Sequence, residues 1–313
     1  MMSRKQKKEQ QLLSQSAMVM AAIGAAGILI GTMSGSKAVL TDGIFSALAV
    51  LIKLLMLGTS RLITKETSVR FQFGYWQMEP MVLFTEGAFT FIVVFYAAAE
   101  GIAGLLGGGH DVDFGLAMYY GILFEALAGA FYFHIRRQNR TLRSNLVRYD
   151  TVSWYIDMVL AAGLLLSFLG AWALQFTAYA WMARYIDPVI MLALALHMIV
   201  PAFHILSPAF QQMLGVAPED VHEHVQQVMD ESMEEYGFKD YVSSVQQYGN
   251  TKIIEIDILV DEDYPVQDIA EFDRIRNDID QAIGYPENQK WLTISFTTTR
   301  RWMARDYLAG ENA

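Results

Sequence analysis

The chain has 313 residues, 53% of them hydrophobic, and a mean hydropathy of +0.25, which is too apolar for an ordinary soluble protein and long enough for two domains. Its net charge of -10 is unevenly placed: acids outnumber bases 21 to 8 after His204, whereas bases lead 15 to 12 before it. The absence of cysteine excludes disulfides and thiolate metal sites, and the acidic balance argues against a nucleic-acid surface.

In chain order, residues 1–15 (MMSRKQKKEQQLLSQ) lack a signal-peptide cleavage pattern and read as a cytoplasmic tail. Six apolar stretches follow, at about 16–34, 38–63, 77–107, 114–135, 149–175 and 179–205, each long enough to span a bilayer, the third with a break expected near Gly101. Bases gather in alternate loops, at Arg61, Lys65 and Arg70 and then at Arg136, Arg137, Arg140 and Arg143. The intervening loops, with Lys37, Gly107–Asp113 and Arg184, are poor in bases, so a multi-pass cell-membrane protein with both termini cytoplasmic is expected.

Past Pro208 the pattern changes. A helix over Pro218–Tyr236, alternating runs Tyr241–Gln247 and Ile253–Val260 about a Gly-Asn turn, a helix over Val266–Ile283 and a last run from Trp291 give an αββαβ order. The layout is a helical membrane domain over 16–206, an α+β cytoplasmic domain over 207–300 and a C-terminal tail over 301–313.

Ionisable residues inside apolar helices cost roughly 2.5–3.5 kcal/mol on insertion scales, so those that persist face the bundle interior or a wet cavity. Asp42 and Asp157 lie in helices two and five without a base nearby on the same helix, and both fall toward the outer half of the bundle, where they could converge on one cation. Lys53 and Asp150 come level nearer the cytoplasm and read as a salt bridge; Glu79 and Glu86, seven apart on helix three, line an ion path or bond to neighbouring helices. Glu100 and Glu125 read as structural or margin residues, and Asp187 before Pro188 as a helix cap. His197 and His204 read as packing or interfacial residues, and His222 and His224, two apart on an acidic exposed helix, do not form a metal pair. Gly27, Gly31 and Gly35 form a small-residue ridge for close helix approach, and Trp76, Trp154 and Trp181 read as interfacial belt residues, with a gating role as the alternative for Trp154. No nucleotide loop, nucleophile motif or HExxH pair appears, so no enzyme and no bound cofactor are expected.

The runs GSKAVLTD (Gly35–Asp42), FGYWQME (Phe73–Glu79), SNLVRYD (Ser144–Asp150) and DP at Asp187–Pro188, in this order with six spans and an αββαβ tail, resemble the cation diffusion facilitator family. The resemblance implies a homodimeric divalent-cation/proton antiporter working by alternating access, with a ferredoxin-like cytoplasmic domain that joins the protomers. The family's transport ligands map to Phe45, Ala49, Ser153 and Asp157, of which only Asp157 is a strong ligand. A relocated metal site of Asp42, Ser46, Ser153 and Asp157 is therefore expected. Its oxygen donors suit manganese or magnesium better than zinc. The family's other histidine positions map to Phe71 and Tyr75 and, in the tail, to Tyr241, Asp257, Ser295 and Thr297, so a binuclear zinc site is not expected there, and Asp257 reads as an exposed strand acid. The alternatives are a non-transporting partner or sensor subunit of the same family and a monovalent cation/proton antiporter.

Overall fold

The computed structural model describes residues 4–34, 37–63, 71–72, 74–109, 116–174, 176–266 and 268–303, in two compact units that meet between Phe210 and Gln211. Lys65, Arg70, Phe73, Asp113 and Gly35 of the sequence expectations lie outside the described residues.

The first unit is built from α1 (Arg4–Ser34), α2 (Lys37–Ile63), α3 (Met78–Leu106), α4 (Leu116–Leu142), α5 (Asn145–Leu174) and α6 (Ala183–Met213), the last running on into the second unit. Among the described residues α1, α2, α3, α5 and α6 are long and apolar enough to cross a membrane. The sixth long helix, α4, is more polar because Glu125 interrupts it and its last turns carry His134, Arg136, Arg137 and Arg140. It still belongs to the bundle: Tyr120, Phe124 and Ala128 share a core with Met20 and Ile23 of α1 and Trp154 of α5.

Three expectations are corrected. The charged N-terminal stretch is helical from Arg4 and continuous with the first span, because Leu12 and Leu13 give it an apolar face that packs with Met56, Leu57 and Leu83. Helix three runs unbroken through Gly101, where the missing side chain lets α6 approach at Pro188 and Leu192. Asp187 does not cap α6, which begins four residues earlier; its Oδ1 instead accepts a hydrogen bond from Ser167 Oγ at 2.8 Å, tying α5 to α6.

α1 and α2 run antiparallel with backbones in contact. Gly27 faces Gly43 and Gly31 faces Leu40, so closely that a Cβ on Gly43 would meet Ile28 N at 2.5 Å. The α4–α5 turn is held by Asn139, whose amide oxygen accepts from Ser144 N at 3.0 Å while its amino group donates to Ser144 O at 3.2 Å, around Arg143 at φ 50°.

The second unit contains α7 (Glu219–Tyr236), β1 (Asp240–Tyr248), β2 (Thr251–Leu259), α8 (Ile269–Ile283) and β3 (Lys290–Thr297). The sheet order is β1-β2-β3, with β1 antiparallel and β3 parallel to β2. Period-two alternation puts Ile254, Ile256 and Ile258 on one face, against Val221, Val225 and Val228 of α7 and Ile275, Ile279 and Ile283 of α8. Both helices stop at left-handed glycines, Gly237 and Gly284. This is the α+β tail that the alternation predicts.

Candidate functional site

The bundle centre is organised by α2 and α5, with α1 and α3 completing it. Lys53 of α2 and Asp150 of α5 are both fully buried and form the salt bridge expected of them, the Nζ bonded to Oδ1. Ser16 of α1 donates to the same Oδ1 at 2.9 Å and accepts from Trp154 Nε1 at 2.8 Å. The Lys53 ammonium also lies 5.1 Å from the centroid of the Trp154 ring, a cation–π distance. Trp154 is thus a fully buried part of this network rather than an interfacial residue. Asp150 Oδ2 is buried without a hydrogen-bond partner among the described residues.

Glu86 of α3 is buried beside this pair, bonded to Ser153 and within electrostatic range of Lys53 and Asp150. Asp157 lies within electrostatic range of Lys53, Asp42, Glu86 and Asp150. Three carboxylates, Asp150, Glu86 and Asp157, thus act on one ammonium, with Asp150 in contact with it and Asp42 eleven residues from Lys53 along α2. Asp42 Oδ2 accepts a hydrogen bond from Tyr120 of α4 at 2.7 Å. Ser46 and Ser153 are buried on α2 and α5. Of the expected four-residue metal site, each member is placed in the bundle, yet Asp42 is engaged with Tyr120 and Ser153 with Glu86. Among the described residues no three acidic or histidine side chains are arranged to chelate one ion.

The family positions that lost their ligands have become packing positions. Phe45 packs on Tyr96 of α3 with ring centroids 5.1 Å apart and planes tilted by 55°, and Ala49 is buried in the α1–α2–α4 core. Glu79 is buried and bonded to Asn145. Glu100, His197 and His204 are exposed on their helices.

In the tail, the positions corresponding to metal ligands are occupied with hydrogen bonds. Ser295 donates to Asp257, so Asp257 is a half-buried acceptor and not the exposed strand acid expected. Tyr241 donates to Asp230 at 2.7 Å and Thr297 to the Thr299 carbonyl at 2.9 Å. His222 and His224 are half-buried rather than exposed, and the His224 ring bonds the Ile283 carbonyl at 3.2 Å.

Sequence reasoning missed Ser16, Tyr120 and the central place of Glu86. A serine in an apolar helix and a tyrosine near a helix end carry no periodic signal. Glu86 did carry one, as an intramembrane acid, but its partners lie on other helices.

Residues 14–214 of the chain match the cation efflux transmembrane domain. No match is found among curated proteins.

Proposed function

The chain belongs to the cation efflux family, the cation diffusion facilitators, and we propose that it exchanges a divalent, oxygen-preferring cation for protons across the bilayer by alternating access. Metal-cation transport and a multi-pass place in the membrane follow from the family and from the long apolar helices. Support for the exchange comes from the charge balance at the bundle centre. Glu86, Asp150 and Asp157 lie within electrostatic range of one base, Lys53, and Asp42 within range of Asp157, so with every group ionised the acids exceed the base by three charges. In a low-dielectric interior such an imbalance is strongly unfavourable. Protons or a divalent cation would each offset this excess, and a site that one can occupy in place of the other is what an exchanger needs.

In this mechanism Asp157, with Asp42 outward of it and Ser46 and Ser153 as hydroxyl donors, receives the cation. Each of the two bundle conformations opens the cluster to one side only. Carboxylate and hydroxyl oxygens favour manganese or magnesium over zinc. The basic ends of α2 and α4 support cytoplasmic termini, and in this reading the tail domain joins two protomers into a homodimer.

The test is cation-driven proton flux in proteoliposomes, read with an internal pH dye. Manganese or magnesium should drive flux in the parent, and Asp157→Asn should lower it at least tenfold. Parent-like flux from Asp157→Asn overturns the site. Flux with sodium alone supports the monovalent alternative, and no flux with any cation supports a non-transporting subunit.

A further inference from the structure

Between the basic end of α4, the first turns of α5 and Pro201 of α6 lies a cavity of about 410 Å³ that has no place in the cation path. Three guanidiniums converge on it: Arg136 and Arg140, four apart and hence on one face of α4, and Arg148 from the first turns of α5. None of the lining residues is acidic, and none of the three arginines has a carboxylate partner among the described residues. Arg136 is held in place by its Nη1 donating to Tyr132 Oη at 3.0 Å while the guanidinium lies 5.6 Å from that ring's centroid. Such a site repels a cation.

We propose that this cavity binds the phosphate headgroup of an anionic phospholipid. Planar guanidinium forks match phosphate oxygens in pairs, and three without internal counter-ions leave a charge deficit that one or two phosphates would fill. The lining also includes Val152, Tyr155 and Pro201 of α5 and α6, which offer apolar surface for the first carbons of the acyl chains. The position also fits, because the cavity lies where long apolar helices give way to a basic rim, the depth at which headgroups reside. Free inorganic phosphate offers the same headgroup chemistry without the chains, and the apolar surface selects the lipid over it.

The experiment uses the full-length protein in a neutral detergent, titrated separately with phosphatidylglycerol, phosphatidylcholine and sodium phosphate, with bound adducts read by native mass spectrometry and melting temperature followed in parallel. Phosphatidylglycerol should bind and raise the melting temperature, and the other two should do so far more weakly. At about fivefold per basic residue near the surface, Arg136→Gln/Arg140→Gln/Arg148→Gln should weaken phosphatidylglycerol roughly 100-fold, and the corresponding triple lysine variant should fall between it and the parent. Should the triple glutamine variant not fold, Arg140→Gln alone, whose side chain bonds nothing among the described residues, should show about a fivefold loss. Equal binding of phosphatidylglycerol and phosphatidylcholine, or variants that bind like the parent, would overturn the site. Inorganic phosphate binding as tightly as the lipid would overturn the lipid as its ligand. Cation flux is not the readout, so the outcome is separate from that of the transport reading.

Discussion

Removing the Lys53 ammonium while leaving Asp150 in place strands a buried carboxylate that already has one oxygen without a partner among the described residues. Breaking one side of a buried pair costs about 3–5 kcal/mol. Lys53→Met should therefore lower the melting temperature of the detergent-solubilised protein sharply, and Lys53→Met/Asp150→Asn, which removes both charges, should recover most of the loss. A double variant no more stable than the single one would show that the pair does not act as a unit. The pair itself was legible in the sequence, because two opposite charges in apolar helices of opposite direction fall at the same depth. Ser16, which bridges Asp150 to Trp154, was not, since only the folded bundle brings α1 beside α5.

The α1–α2 pairing depends on absent side chains. A Cβ on Gly43 would meet Ile28 N at 2.5 Å and Gly27 C at 2.6 Å, both backbone atoms that cannot swing aside. Gly43→Ala should force the helices apart at a cost of about 1–3 kcal/mol. Gly58 on the same helix is the control: a Cβ there meets nothing within 4 Å, so Gly58→Ala should be neutral or stabilise by up to ~1 kcal/mol through helix propensity. Melting temperatures of the two variants decide the point. The glycine ridge on α1 was legible as a four-residue spacing, whereas Gly43 stands without such a spacing on α2 and gained its meaning from the facing backbone. Helix ends were least legible: the Asp187–Pro188 pair has the chemistry of a helix start, yet α6 begins at Ala183 and carries three prolines within it. Neighbouring helices and side-chain donors such as Ser167 make that tolerable.

The molecule divides into two units, and among the described residues the tail's main core is built from Val221 onward. Residues 211–313 expressed alone should give a cooperative melt by circular dichroism; a non-cooperative one would show that the tail needs the bundle to fold. Two of its tyrosines add a dependence on alkaline pH. Burial and the neighbouring Asp278, which accepts from its hydroxyl at 3.0 Å, push Tyr236 up to about 12 from an ordinary 10.0. Above pH 10 the unfolded chain loses this proton while the fold retains it, so stability is full below pH 10 and falls as pH rises toward 12. Tyr241, raised by burial and Asp230, acts in the same direction, so Tyr236→Phe should reduce this slope without abolishing it. The αββαβ order was legible because period-two and period-3.6 patterns alternate cleanly there; the bundle's charge cluster was legible only as separate acids, since its geometry is interhelical. The Lys53–Asp150 bond, finally, spans 97 residues of chain. At about 5–20 residues per second of synthesis, α2 waits roughly 5–20 s in the membrane, its ammonium without its salt-bridge partner, before the helix carrying Asp150 leaves the ribosome. Assembly of the bundle is thereby timed by translation, and a pause before α5 would prolong the interval in which the second span is least secure.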